Sequence, residues 1–391
     1  MKICGIICEY NPLHNGHVYL LERARRESGC DAVVCVMSGN FTQRGEMACL
    51  EKHLRAEHAV RAGADAVIEL PSVFALAPAE LFAKGAVRLL GSVPGFCRLA
   101  FGSECSDREK FIAAAKLTEQ EPPSFREKLR KHLKLGKSLT RARSEALAEV
   151  GEQEHAALLR SPNNILGVEY CKAMLAYAPS AEILPVLRTG ADHADDGLYK
   201  NYSSASAIRR AVAEGKLRGA RRNVPEFVAD DLAAALDPAP YKKFALYALL
   251  RAHCVQILAA TDCSEGLENR IKALAHSTAD YDSVIEMTTS KRYISSRIRR
   301  IIAATVLGIG EELVRKSLRA PLYLKVLAVR AARSDELLST LGSSPDPLIM
   351  RKSDLSRLGK TAAECYAKDL LAADLFHLAS GRAAGDRPRF V

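Results

Sequence analysis

The sequence has no tryptophan and no Cys-x-x-Cys pair. It also has no uninterrupted apolar run of the roughly 18 residues that argues for a membrane-crossing helix, so no transmembrane segment and no membrane partner are expected. The eleven cysteines are odd in number and scattered, and Cys4, Cys8 and Cys35 lie inside apolar stretches. Buried free thiols in a reducing cytoplasm account for them better than disulfides or zinc, so a cytoplasmic location is expected. The apolar start, Met1 to Cys8, is interrupted at once by Glu9 and Asn11, and reads as a first buried strand and not as a signal peptide. What is there is ordinary in bulk: 48% apolar and 26% charged residues, the composition of a folded soluble protein. At 391 residues the chain is too long for one ordinary core, which implies two domains or one domain with insertions. The formal charge of +10 is compatible with a polyanionic partner, and where that charge lies matters more than its sum.

The first hundred residues alternate between short apolar runs and amphipathic stretches. Lys2–Cys8, Ala32–Met37, Ala66–Leu70 and Arg98–Phe101 read as strands, with helices over about His14–Ser28, Leu50–Ala62 and Pro78–Leu90. Continuous apolar strands alternating with helices predict an α/β fold, a parallel sheet covered on both faces. Residues 106 to about 160 break the rhythm. They are rich in Lys, Arg, Glu, Ala and Leu, and read as a helical insertion. Ile165–Tyr177 reads as a helix, Glu182–Leu187 as a returning strand and Asp192–Asn201 as a polar loop. Tyr202–Ala213 starts with serines and continues as helix. From about 224 onward almost everything reads helical, giving a division into residues 1–215 and a mostly α-helical part, 216–391. The basic, Gly- and Pro-rich end, Gly381–Val391, is expected to fray.

The sharpest feature is Glu9-Tyr10-Asn11-Pro12-Leu13-His14-Asn15-Gly16-His17, after the first strand and at the opening of a helix. In an open α/β sheet, ligands bind at the carboxyl ends of the strands. A helix start there offers free N–H groups and a positive dipole end to phosphate. His14 and His17, three apart, share one helix face. Gly16 lets a nucleotide lie against the backbone. Two imidazoles can donate to phosphate oxygens as negative charge builds. A chance surface pair is the bland alternative, and a zinc site lacks a third ligand and a zincin glutamate.

His14-Asn15-Gly16-His17 resembles the HxGH signature of the nucleotidylyltransferase superfamily. The longer run from Gly5-Ile6-Ile7-Cys8 through His17 resembles the tRNA(Met) cytidine acetate ligase family. So do Val36-Met37-Ser38-Gly39-Asn40-Phe41-Thr42-Gln43-Arg44-Gly45-Glu46, Val67-Ile68-Glu69-Leu70-Pro71, Phe101-Gly102-Ser103-Glu104 and Ser161-Pro162-Asn163-Asn164-Ile165-Leu166-Gly167, and more thinly Ser290-Lys291-Arg292-Tyr293. The resemblance implies a Rossmann-like HxGH nucleotidylyltransferase sheet. It also implies an ATP-dependent ligase that activates acetate as acetyl-adenylate and acetylates N4 of the wobble cytidine of elongator tRNA(Met). Under it, His14, His17 and Arg209 are the catalytic candidates, and Ile7 through Leu13, Asn15, Gly16, Val18, Tyr19 and Leu20 line ATP with the two histidines. Gly102, Asn163, Asn164 and Arg188 join the ATP site, as do Ser204 and Ser206 of a second, serine-rich phosphate motif. That motif lacks its usual threonine. Magnesium is expected on the phosphates, and no residue is assigned as a metal ligand.

Each of these residues also has a plainer reading. Arg44 can meet phosphate or hold its loop by pairing with Glu46. Gly102 can serve a tight turn, Asn163 and Asn164 can cap a helix, Arg188 can sit in a surface ion pair, and the serines can form an ordinary N-cap. Two basic runs bear on an RNA partner. Residues 126–143 carry Arg126, Lys128, Arg130, Lys131, Lys134, Lys137, Arg141 and Arg143 against Glu127. Residues 291–333 carry eleven Lys or Arg against Glu311 and Glu312. Tyr293 among the latter is placed to stack on a base. A charge run is otherwise a solvated face. No base for acetyl transfer can be assigned; Asp65 and Glu69, near the third strand, have nothing further behind them. The rival functions are an adenylyltransferase acting on a small nucleotide-like substrate and an RNA-binding protein with a non-catalytic nucleotide site.

Overall fold

The computed structural model describes residues 1–188, 203–264, 266–382 and 387–391. The predicted loop Asp192–Asn201 and Tyr202 lie outside the described residues. Eight strands form one sheet: β1 (Ile3–Cys8), β2 (Ala32–Ser38), β3 (Ala66–Leu70), β4 (Phe96–Ser103), β5 (Glu182–Leu187), β6 (Leu324–Val329), β7 (Leu348–Ile349) and β8 (Arg389–Phe390). The order is β5-β4-β1-β2-β3-β6-β7, with β8 beside β6. The first five strands pair in parallel, and β6 joins β3 antiparallel.

The expected elements are present. Helices Asn15–Glu27, Lys52–Arg61 and Ala79–Ser92 connect the first four strands. Glu51 caps the second of these by accepting the N–H groups of His53 and Leu54. Side chains along a strand point alternately to the two faces, and the core divides accordingly. Ile3, Ile7, Val34, Val36, Ile68 and Leu70 pack into one cluster. Cys4, Ile6, Val33, Cys35, Met37 and Val67 pack into another on the opposite face. Being buried on both faces is why β1 and β2 read as continuous apolar runs. The helical insertion comprises Arg108–Gln120, Pro123–Lys134, Leu139–Glu149 and Gln153–Leu158, and it leads into Pro162–Tyr177, which packs on Ala79–Ser92.

The later half departs from the expectation in one respect. It is largely helical, yet it returns β6 to the sheet, where Ala66 faces Val329 and Ile68 faces Val326. Lys325 breaks the apolar run of β6 in the sequence and hides it. In the fold that lysine is 3% exposed, with its Nζ 3.6 Å from Glu69. The end of the chain is also tied down instead of fraying: β8 pairs with β6, and the Val391 N–H donates to the Val329 carbonyl at 3.0 Å.

Part of the second basic run therefore works as internal adhesive, while Lys291, Arg292, Arg315, Lys316 and Arg319 stay exposed. Arg330 and Arg333 meet the buried carboxylate of Asp65 at 3.1 and 3.7 Å. Arg297 and Arg300 meet Asp262 at 3.3 and 3.4 Å, and Arg300 also donates to the Gln43 carbonyl. Arg299 lies 3.3 Å from Glu46. Tyr293 sits under the Arg297 guanidinium, 4.9 Å from its ring centre.

Candidate nucleotide-binding site

The carboxyl ends of β1 and β2 are held by a residue that nothing in the sequence singles out. Arg55 is fully buried and donates to the backbone carbonyls of Glu9, Ser38, Gly39 and Leu50. A buried guanidinium satisfied by four carbonyls fixes where the two strand ends turn. Tyr10 adopts φ 47°, in the left-handed region that non-glycine residues seldom occupy. Asn11 then accepts the Cys49 N–H at 2.7 Å.

His14 is the N-cap of helix Asn15–Glu27. The rings of His14 and His17 stack with centroids 3.6 Å apart, and the His17 Nδ1 accepts the His14 backbone N–H at 3.3 Å. Gly16 leaves room for this arrangement: a Cβ there would lie 3.1 Å from the His14 ring. The imidazoles thus form one wall at a helix start.

One cleft gathers most of the predicted residues. Its lining includes Ile7, Cys8, Glu9, Tyr10, Asn11, His14, Gly16, His17, Tyr19 and Leu20 from the first motif. Gly102, Asn163, Arg188, Ser204, Ser206 and Arg209 line it from the other elements. Arg209 donates to the Asn11 carbonyl at 2.7 Å, and its guanidinium lies 3.4 Å from Ser206 Oγ. Ser204 Oγ accepts the Ala207 N–H at 3.1 Å, so this serine also caps its helix. Gly102 lies within β4 and not in a turn. A Cβ on it would stand 3.5 Å from Arg188.

Pro12, Leu13, Asn15, Val18 and Asn164 do not line the cleft. Pro12 and Leu13 are buried beneath the turn. Asn15 faces outward, its side-chain amide donating to the Arg222 carbonyl at 3.3 Å. Val18 packs on the core beside Leu21 and Ala24. Asn164, in the first turn of Pro162–Tyr177, is pinned to the loop after β4, accepting the Glu104 N–H at 2.9 Å, while Asn163 donates to the Glu104 carboxylate at 2.6 Å.

The cleft has further walls, of which the sequence offers only Arg44, as one of two readings. Thr42, Gln43 and Arg44 come from the loop after β2, with Arg44 donating to Ser206 Oγ at 3.2 Å. Glu46 of that loop lies 3.7 Å from Arg209 and 3.3 Å from Arg299. Gly45 makes this approach possible: it has φ 77°, and a Cβ would fall 2.4 Å from the Arg299 backbone. The apolar wall is Phe82, Phe101, Leu166 and Tyr170. Among the described residues Glu9 is the one acidic member of the lining. Burial raises its carboxyl above the usual range, against the opposing Gln43 N–H and the Arg209, Arg44 and Arg55 charges. Burial likewise raises Cys8 and Tyr170, so both stay neutral near pH 7.

A family model described as HIGH nucleotidyl transferase matches residues 1–387. The tRNA(Met) cytidine acetate ligase of Thermoanaerobacter sp. (strain X514) is 36% identical over 387 residues, covering 97% of this chain and 96% of that protein. The enzyme of the same name from Caldanaerobacter subterraneus subsp. tengcongensis is 37% identical over 395 residues, with the same coverage. The chain belongs to the tRNA(Met) cytidine acetate ligase family. Crystal structures of a Thermotoga maritima family member, TmcAL, agree with this. The apo form superposes with a TM-score of 0.92 at 31% identity over the whole of both chains. The form bound with alpha-thio ATP gives 0.91 at 30%, over 100% of this chain and 99% of that one. The family fold is therefore a mostly parallel, Rossmann-like sheet with helices on both faces, extended at one edge by β6.

Proposed function

We propose that this chain is an ATP-dependent ligase that activates acetate as acetyl-adenylate and passes the acetyl group to N4 of the wobble cytidine of elongator tRNA(Met). The observation that carries the reading is the convergence in one cleft of a stacked histidine pair at a helix start with Arg188, Arg209 and Ser206 across from it. Negative charge is what such a cleft is built to take. The names of the family members supply the acceptor, and alpha-thio ATP in the Thermotoga structure supports the nucleotide.

In the first half-reaction an acetate oxygen attacks the α-phosphorus and pyrophosphate leaves. His14 and His17 stabilise the charge that builds on the α-phosphate oxygens. Arg188, Arg209 and Ser206 hold the departing phosphates. Gly102 and Asn163 leave room and hydrogen-bonding groups for the adenosine. In the second half-reaction the cytidine N4 attacks the acetyl carbonyl and AMP departs. Among the described residues the cleft sets Arg44, Arg188 and Arg209 against one carboxylate, Glu9, a balance that suits phosphate better than a protein-held cation. Among the described residues no group of three His, Cys, Asp or Glu could hold a metal. Magnesium would enter on the triphosphate, and no step is assigned to it.

Residues 1–215 are the catalytic part in this reading, and residues 216–391 dock the tRNA together with the exposed basic face of Pro123–Lys134. No described helix is long and apolar enough to cross a membrane. The proposed place of work is the cytoplasm, where tRNA and ATP meet.

The test is incubation with ATP, labelled acetate and elongator tRNA(Met), followed by nucleoside analysis. Label in N4-acetylcytidine is expected, and none there overturns the reading. Pyrophosphate exchange that needs a nucleotide-like acid instead of acetate would favour the adenylyltransferase. Replacing His17 by Ala should cost about 2–4 kcal/mol of transition-state stabilisation in acetate-dependent pyrophosphate exchange, the usual loss for one preorganised donor. An unchanged exchange rate would remove the histidine pair from the chemistry.

A further inference from the structure

The acetyl-transfer step needs a group that takes a proton from the cytidine N4, and the two carboxylates at β3, Asp65 just before it and Glu69 within it, are spoken for. Asp65 is 1% exposed and held among Arg25, Arg330 and Arg333. Glu69, equally buried, is locked between Lys52 and Lys325, with both of its oxygens 2.9 Å from Lys52 Nζ. Neither lines the cleft.

Glu9 does. It stands just past the end of β1, next to the turn that leads into the histidine pair, and among the described residues it is the one carboxylate in a lining that otherwise carries cations, neutral polar groups and apolar groups. A carboxylate repels phosphate, so its place among three arginines is not explained by binding the triphosphate. Its Oε1 accepts the Gln43 N–H at 2.6 Å. Among the described residues that amide is the one hydrogen-bond donor to the Glu9 side chain, which leaves Oε2 available to a ligand. The apolar wall of Phe82, Phe101 and Tyr170 lies in the same cleft and offers a base an apolar surface.

We infer that Glu9 receives the cytosine N4 amine through Oε2 and is the general base of acetyl transfer. The inference rests on the ligase reading above. An exocyclic N4–H2 is a donor that a glutamate reads directly, whereas uracil presents an acceptor oxygen at that position and meets the carboxylate with repulsion. One side chain thereby selects cytidine and activates it. As the bond from N4 to the acetyl carbon forms, the bond from that carbon to the phosphate oxygen breaks, and AMP leaves with the electron pair. The N4 proton passes to Oε2 and from there to solvent. The groups facing Glu9 fix how it titrates. Arg44, Arg55 and Arg209 favour its ionised form, while Cys8, Tyr10 and Tyr170 remain neutral around it. Burial outweighs the arginines, so the carboxylate accepts a proton more readily than an exposed glutamate does.

The experiment separates the half-reactions in the full-length protein. Acetate-dependent exchange of labelled pyrophosphate into ATP reports adenylation, and single-turnover transfer from preformed acetyl-adenylate to elongator tRNA(Met) reports the second step. Glu9→Gln, which keeps the shape of the side chain, should slow transfer by about a hundredfold or more, the usual effect of a positioned base, against less than about tenfold in exchange. In the wild type, transfer falls as pH drops through the Glu9 pKa. In Glu9→Gln that acid limb is absent, and in Glu9→Asp it returns. Equal losses in the two half-reactions, or an acid limb retained in Glu9→Gln, overturn the role of Glu9 alone. A wild-type protein that exchanges pyrophosphate but never acetylates cytidine overturns the ligase reading and the base with it.

Discussion

In the helical insertion, Arg130 and Lys134 are exposed and have no acidic partner among the described residues, and Lys131 and Arg141 reach Glu149 and Glu145 only at the surface. In residues 291–333, Lys325 and Arg300 are buried, and Arg297, Arg299, Arg330 and Arg333 all end on carboxylates of other elements. The two stretches look alike as strings of basic residues. Apart from Arg143, which pairs with the buried Glu169, the first keeps most of its charge at the surface, where it can displace the counterions of a phosphate backbone. The second uses Arg299, Arg300, Lys325, Arg330 and Arg333 to hold the later half of the chain against β3, Asp65 and the loop after β2, while Lys291, Arg292, Arg315, Lys316 and Arg319 stay exposed. A run of Lys and Arg is thus a statement about partners only once burial is known.

The largest test of that contrast is Lys325→Ala. Removing one member of a buried charge cluster costs about 3–5 kcal/mol, and the lower end is expected because Lys52 stays 2.9 Å from Glu69. Urea unfolding measures it, and a loss under about 1 kcal/mol would mean that the second run is no more structural than the first.

A middle-sized effect comes from Asp369, which is buried and accepts the Ser72 N–H and the Tyr323 hydroxyl, tying helix Lys360–Ser380 to the segment after β3. Burial, and then the Glu69 charge, raise its pKa to about 6. A carboxyl whose folded pKa lies above its unfolded value favours the folded state at low pH. The stability it contributes is fully present below about pH 4 and is lost as pH rises to about 6. The unfolding free energy of the wild type minus that of Asp369→Asn should fall across that window and be flat above it. A difference that does not change with pH would place the carboxyl at its ordinary value.

The smallest effect on stability, and the sharpest on binding, is the double reversal Arg130→Glu with Lys134→Glu. Stability should change by less than about 0.5 kcal/mol, as for exposed positions generally. The slope of log affinity for tRNA against log salt should shrink by about one unit for each phosphate that the variant no longer neutralises. An unchanged slope would take the Pro123–Lys134 face out of the tRNA surface and erase the contrast between the runs.

These contrasts also explain what could be read in advance. The first five strands were legible because strands buried on both faces carry nothing but apolar side chains, as Ala32–Ser38 does over most of its length. His14, His17 and Gly16 were legible because a tight strand-to-helix turn compresses the chemistry into adjacent letters. Ser204, Ser206 and Arg209 stood out as a serine-rich helix start. Arg55 was not legible: one arginine on an amphipathic helix looks like any other until four carbonyls close around it. Nor was β6, whose lysine is neutralised only by a glutamate from far earlier in the chain. Asn164 and Asn15, carried along by their neighbours, turned out to face other backbone instead of the cleft.

The sequence by itself determined the parallel sheet, the helix start at His14 and the kind of chemistry that a histidine pair at such a start can support. Those properties depend on local periodicity and on residues close together in the chain. Tertiary structure alone decided which charges face a ligand and which face the protein. It buried Lys325 and Arg300, turned Arg44 and Arg209 toward Ser206, and left Glu9 as the one carboxylate of the cleft among the described residues. Desolvation and pairing are set by neighbours distant in sequence, and they determine whether a charged side chain holds the fold together or acts on a substrate.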